Sequence, residues 1–324
     1  MNRLMLLGAG TLAMIVGCCS AAVTLREGVM LSTVMLKEGG PEVMVNLAYR
    51  PDTVKQHPVI LMLGSLDPKA LPEWSTGLVD EGYMLAAFTV AYPPDPDPAR
   101  RAQWLVFDER FAHGYVLGGS RAPADTKRVI DYLIGRGDVH PKKIGWMGSS
   151  STGIPGLSVA CHEPRLAAIV AFVSTGAYGE WLESWKTNKL WVGKTDDIWP
   201  ETKEMLKEWD PIHHVAKMCP VATLMVSGGD DIVVDPKTAR SFVNAAKPYY
   251  ANDPERLRLV IYDGFGHNLP RDIIRMYTEH WFHLYMHPVN DPPTPPDPPK
   301  DLRESADRTQ INATGHGEVV GADK

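Results

Sequence analysis

Lys143-Ile-Gly-Trp-Met-Gly-Ser-Ser-Ser-Thr-Gly153 decides how this chain is read. A short apolar strand runs into a turn of Gly and Ser, and a helix of small residues follows from Ile154 to Cys161. Such a strand-turn-helix strains the backbone at its apex and holds one serine hydroxyl in open space. Gly148 sets the phase, because the exposed serine of this pattern falls two residues after it. That position is Ser150, flanked by Ser149 and Ser151. One position departs from the G-x-S-x-G pattern. Thr152 stands where the second Gly belongs, and Gly153 follows it. The alternative to a nucleophile is a Ser-rich loop without chemistry.

A serine hydroxyl attacks poorly until a base takes its proton, and the base needs an acid to orient it. Two downstream segments supply both groups. Val221-Ala-Thr-Leu-Met-Val-Ser-Gly-Gly-Asp-Asp231 is an apolar strand that ends in an acidic turn. Leu257-Arg-Leu-Val-Ile-Tyr-Asp-Gly-Phe-Gly-His267 is another, ending in a Gly-flanked histidine. Both polar groups lie just past the C-terminal ends of strands, the edge where open α/β sheets bind ligands.

With these pieces in order, the chain resembles an α/β-hydrolase of the dienelactone-hydrolase and prolyl-oligopeptidase-like group of small bacterial carboxylesterases. The resemblance runs over about residues 40 to 286. It is carried by Val139-His-Pro-Lys-Lys-Ile-Gly-Trp-Met-Gly-Ser-Ser, by Ser227-Gly-Gly-Asp-Asp-Ile-Val-Val, and by Asp253-Pro-Glu-Arg-Leu with Gly266-His267, Pro270 and Trp281-Phe282. It implies Ser150 as nucleophile, Asp231 as acid and His267 as base, with Asp230 and then Asp235 as fallback acids. It also implies an oxyanion hole of two backbone N–H groups. One is that of Ser151; the other belongs to Ser65 or Leu66, after the strand Pro58-Val-Ile-Leu-Met-Leu-Gly-Ser-Leu66. Members of the group usually carry His-Gly at that strand end. Here it is Leu63-Gly64, so the identity of the second donor stays open.

The expected reaction is cleavage of a carboxylic ester through an acyl-enzyme, on a small-molecule or polysaccharide substrate. An acyltransferase or thioesterase would use the same triad. A peptidase would too, but peptidases of this fold usually carry a large N-terminal propeller, for which this chain leaves no room. A non-catalytic, lipid-anchored binding protein on a decayed scaffold is the reading without chemistry; Leu63 and Thr152 speak for it.

The expected fold class is α/β, a doubly wound and mostly parallel sheet. Short apolar runs at 58–64, 83–91, 143–148, 166–173, 221–227 and 257–262 suit strands buried on both faces. Helical patterns separate them, as at Asp125 to Ile134 and Pro236 to Ala246. Residues 28–50 alternate as a leading hairpin does. The hydrolase domain is placed at 28–286. Within it, residues 176–210 are too long for a plain connection and hold five of the nine tryptophans. Trp181 and Trp185, four apart, share a helix face. Together with Trp191 they are read either as the packing of two short helices or as a lid bordering the acyl or alcohol pocket.

The ends carry a different message. Arg3 and the apolar run from Leu4 to Gly17 fit a signal peptide, and the run is shorter than the ~20 residues that span a bilayer. Ile15-Val-Gly-Cys18 resembles a lipobox, which implies cleavage after residue 17, a lipid on Cys18 and a membrane-anchored, exported enzyme with an 18–27 stem. An ordinary secretory signal and an uncleaved anchor are the rival readings. Residues 287–324 are Pro-rich and then polar, and are expected to be a disordered tail. The net charge is −6, with no basic face, which argues against nucleic acid. Of the four cysteines, Cys161 and Cys219 are expected as buried free thiols, with a disulfide as the alternative. No cofactor is indicated. No CxxC pair or His cluster has zinc spacing, and His213-His214 reads as a helix terminus.

Overall fold

A computed structural model describes residues 23–24, 28–67, 70–90, 107–188, 190–191 and 198–288. The signal segment, Cys18, most of the stem, the proline-rich stretch 93–98, the middle of the 176–210 insertion and the residues from 289 onward lie outside them. Among the described residues no helix is long and apolar enough to cross a membrane.

The leading hairpin forms as expected, from β1 (Met30–Leu36) and β2 (Val43–Tyr49). Next come β3 (His57–Leu63), the short helix α1 (Thr76–Asp80) and β4 (Met84–Phe88). Helix α2 (Glu109–Gly135) leads to β5 (Val139–Ser149), α3 (Gly153–His162) and β6 (Leu166–Phe172). Helices α4 (Tyr178–Thr187), α5 (Pro200–Trp209) and α6 (Val215–Met218) precede β7 (Ala222–Gly228). Helix α7 (Pro236–Ala246), β8 (Leu257–Tyr262) and α8 (Arg271–Met286) complete the order. The eight strands make one sheet in the order β8-β7-β6-β5-β3-β4-β2-β1. Strands β3 to β8 are parallel, and β2 alone runs against its neighbours. The doubly wound α/β sheet is therefore present.

The inner strands feed both faces, because successive side chains point to opposite sides. Ile144 and Trp146 of β5, with Ile169 and Ala171 of β6, pack under α2, α3, α6 and α7. Met147, Ala168, Val170 and Phe172 pack under α1 and α8. Near-continuous apolar runs follow from burial on both sides. A third cluster gathers Phe107, Tyr115, Ile154, Tyr178, Trp181, Trp185 and Ile198 around α4 and the start of α2.

Helix α2 differs from the sequence reading, which took only Asp125 to Ile134 as helical. It begins sixteen residues earlier, at Glu109, and runs through Pro123. Asp108 caps it by accepting from the amides of Arg110 (3.1 Å) and Phe111 (3.0 Å). A proline inside a helix leaves the carbonyl four residues back without its partner. Here that carbonyl is Gly119's, and Ser158 Oγ of α3 donates to it at 3.1 Å. A neighbouring helix thus repairs the break at Pro123. Cys161 and Cys219 are free thiols as expected, but only Cys161 is fully buried; Cys219, before the strand β7, is half-buried. Burial pushes the Cys161 thiol up to about 12.

Candidate active site

Strand β5 ends at Ser149, and Ser150 turns to φ +50°. A non-glycine residue in that region is strained, and such strain persists only where the surroundings fix it. The surroundings are tight. A Cβ on Gly148 would lie 2.4 Å from the Thr152 carbonyl oxygen, and one on Gly153 would lie 2.2 Å from Ser174 Oγ. A Cβ on Gly156 would lie 2.2 Å from the Trp146 indole nitrogen, so α3 is pressed onto β5. The close-packing glycine thus sits at 153, one place later than the pattern. The Thr152 side chain closes the turn. Its Oγ1 accepts from the Ser149 amide at 2.9 Å and donates to the Ser149 carbonyl at 3.0 Å. The departure from G-x-S-x-G therefore adds two hydrogen bonds to the elbow. On the adjacent strand end, buried Val173 is also held at φ +40°.

The acid and the histidine lie on two loops at the same sheet edge, after β7 and β8. Backbone hydrogen bonds tie them together: Gly229 N to Tyr262 O at 2.8 Å and Asp230 N to Phe265 O at 2.9 Å. Gly228 permits this approach, since a Cβ there would stand 2.2 Å from the Gly266 carbonyl oxygen. Asp231 is buried, and its Oδ1 accepts from the amides of Val233 and Val234 at 2.9 Å each. Its Oδ2 meets His267 Nδ1 at 2.8 Å, and His267 Nε2 meets Ser150 Oγ at 2.9 Å. A carboxylate only accepts, so the ring proton belongs on Nδ1 and Nε2 keeps its lone pair for the serine. The structure thus brings Ser150, Asp231 and His267 into one hydrogen-bonded chain.

The fallback acids do other work. Asp235 caps α7 by accepting from the Lys237 amide at 2.9 Å, and Asp230 holds the loop pair through its backbone. Ser151 is buried in the first turn after the nucleophile. Across the β3–β5 pair, Gly64 adopts φ +123° and spends its amide on Phe88 O at 2.9 Å. Gly64 is thereby removed as a donor to substrate, and the loop amides that follow are those of exposed Ser65 and buried Leu66.

Of the tryptophans of the insertion, Trp181 and Trp185 are placed as packing, one of the two readings. Trp181 and Trp185 are buried, 4.6 Å apart between ring centroids. Both indole N–H groups donate to one acceptor, the Val233 carbonyl, at 2.8 and 3.1 Å. Asn188 adds a third donor, to Ile232 O at 3.2 Å. Helix α4 therefore grips the loop that carries Asp231. Half-buried Trp191 stacks beyond Trp185 at 6.5 Å and forms a bridge with Phe107. Asp210 anchors α4 in turn, accepting from the amides of Tyr178 (2.9 Å) and Gly179 (2.8 Å), and its burial raises its carboxyl above the usual range. Val233 and Asp210 escaped the sequence reading. The i, i+4 tryptophan pair was the available signal, but it could not show what the indoles hold.

A strained serine at a strand-to-helix turn, hydrogen-bonded to a histidine and through it to a buried carboxylate on a doubly wound sheet, defines a serine hydrolase of the α/β-hydrolase fold. Residues 107–286 match the prolyl oligopeptidase family, and the chain belongs to it. Uncharacterized proteins from two strains of Mycobacterium tuberculosis are 26% identical over 148 residues, 45% of this chain and 46% of each of theirs. The match thus spans about half the length of those relatives. Among solved structures, the chain is similar to a Pyrococcus horikoshii acylaminoacyl peptidase, with TM-score 0.59, 12% identity, and coverage of 82% of this chain and 43% of that one. It is also similar to a putative dipeptidyl aminopeptidase IV from Bacteroides ovatus (TM-score 0.58, 16% identity, 79% and 36%). A third is a puromycin-hydrolyzing peptidase from Mycobacterium tuberculosis (TM-score 0.55, 14% identity, 79% and 39%). At these identities the likeness establishes the fold.

Proposed function

We propose that this serine hydrolase cleaves carboxylic esters, with Ser150 as nucleophile, His267 as base and Asp231 as the group that orients and stabilises the imidazolium. The observation that carries the reading is the unbroken chain Ser150 Oγ, His267 Nε2, His267 Nδ1, Asp231 Oδ2, with contacts of 2.9 and 2.8 Å. His267 takes the Ser150 proton as Oγ attacks the ester carbonyl. The alkoxide of the tetrahedral intermediate faces the amides of Ser151 and of Ser65 or Leu66. His267 then protonates the departing alcohol, an acyl-enzyme remains, and a water deprotonated by His267 releases the acid.

The triad serves peptides and esters alike. Support for esters comes from the sequence segments that resemble small carboxylesterases of the dienelactone-hydrolase-like group. Support for peptides comes from the family and from the peptidases among the structural neighbours. The export and lipid anchor at Cys18 form part of the same proposal and rest on residues 1–18 alone.

Two assays on the purified chain test the reading. A fluorophosphonate should phosphonylate Ser150, and the adduct should vanish in His267→Ala. An adduct on Ser149 or Ser151 moves the nucleophile, and its absence from folded protein favours a binding protein. Comparison of kcat/KM on p-nitrophenyl acyl esters and on aminoacyl p-nitroanilides then separates the substrates; a preference for the anilides makes the enzyme a peptidase.

A further inference from the structure

The His-x3-His spacing of His283 and His287 escaped the sequence reading, and the fold adds a carboxylate to it at the far end of α8. His283 lies in its last turn and His287 caps it, four residues on, so both imidazoles share one helix stripe. Glu81, which follows α1, reaches the same place. Its Oε2 is hydrogen-bonded to His283 Nε2. The ring of His287 stands 5.4 Å from that of His283 between centroids. One ligand atom from each of Glu81, His283 and His287 falls within 4.8 Å of the others. Glu279, one turn before His283, brings a second carboxylate to the stripe.

We propose that Glu81, His283 and His287 bind a divalent cation of the zinc, cobalt or nickel kind, through one carboxylate and two imidazoles. Three arguments support it. Paired histidines at i, i+4 on a helix with a carboxylate nearby make a mixed N/O donor set suited to these ions. The ligand atoms of a tetrahedral zinc stand about 3.4 Å apart, so small side-chain rotations that part Glu81 from His283 fit the present set to an ion. The C-terminal end of a helix also carries the negative end of its dipole, which favours a cation.

The site is remote from the triad. Helix α8 starts four residues after His267 and is about 24 Å long over its 16 residues. Glu81 lies just before the start of β4, and Lys143, early in β5, donates to the His287 carbonyl at 2.7 Å. The cluster therefore occupies the N-terminal edge of the parallel strands, opposite the edge that holds Ser150. The cation is a staple between the end of α8 and the α1–β4 turn, and takes no part in the acyl chemistry.

The test uses the full, tag-free chain stripped with EDTA and titrated with cobalt(II). One equivalent should bind with a visible d–d absorption band that zinc abolishes by displacement, and zinc should raise the melting temperature. The band should be lost in His283→Ala and in His287→Ala. Glu81→Gln, at an exposed position that can change without loss of fold, should weaken binding at least about tenfold. Absence of saturable binding to protein with native far-UV dichroism overturns the proposal, and so does a band that survives in the His283→Ala/His287→Ala double variant.

Discussion

At the Ser150 elbow, backbone lies so close to backbone that Gly148 and Gly153 have no space for a side chain. At the Asp231–His267 corner, two backbone hydrogen bonds join the two loops, and the acid's loop is braced by two of its own amides onto Asp231 Oδ1 and by two indoles of α4 onto Val233 O. The nucleophile is held by contact and strain, the acid and base by donors and acceptors. Steric confinement is local and unforgiving. A hydrogen-bonded corner draws on distant segments and contains spare partners, since one carbonyl with two lone pairs can keep one donor when the other is lost.

Four substitutions break or sharpen that contrast. The largest effect belongs to Asp231→Asn. An amide can donate to His267 Nδ1 and so select the wrong tautomer, leaving Nε2 protonated. The expected loss is about 10⁴-fold in kcat with the fold retained, read by steady-state kinetics. Retention of activity would remove Asp231 from the corner's function. Next comes Thr152→Val, which keeps the shape of the elbow and deletes both hydrogen bonds to Ser149. A loss of about 2 kcal/mol in urea denaturation is expected, because the Ser149 amide and carbonyl each lose the bond that Thr152 Oγ1 makes to them. Trp185→Phe should cost less, about 1 kcal/mol, with a fall in kcat of only a few-fold, because Trp181 still donates to Val233 O. If Trp185→Phe proves as costly as Thr152→Val, the corner lacks the redundancy described.

The smallest effect concerns pH. Burial lowers the affinity of His162 for a proton, and nearby His214 and Lys217 add to it, while its bond to Ser158 O opposes. The unfolded histidine takes a proton near pH 6.5 and the folded one only below that. In that window the unfolded chain holds more protons, so stability falls as pH drops from about 7 through the folded value. His162→Gln should flatten this part of the melting-temperature profile. An unchanged slope would assign it to His140, which burial shifts the same way.

Segments with local rules were legible. The elbow is eleven residues long, and its register and following helix could be read from glycine placement, while the role of its serine rested on the acid and the histidine downstream. Asp231 and His267 could be placed at strand ends, since central parallel strands are unmistakable apolar runs. What stayed hidden depends on contacts between remote segments. The length of α2 was hidden because Ser158, which satisfies the carbonyl freed by Pro123, arrives from another helix. Trp181 and Trp185 could be paired by spacing, but their shared acceptor lies about fifty residues away. Glu81 and His283 are separated by 202 positions, and no periodicity reaches that far.

Helix α8 also sets a timetable. Its Phe282 and Met286 lie against Gly145 of β5, where a Cβ would come within 2.8 Å of either side chain. On the ribosome, the elbow emerges roughly 140 residues ahead of that helix, an interval of about 7 to 28 s at usual elongation rates. The base, His267, appears 117 residues after Ser150, and until α8 follows it one face of the nucleophile's strand lacks that helix's cover. A nascent chain is therefore chemically silent until His267 emerges, and sticky until α8 settles on β5.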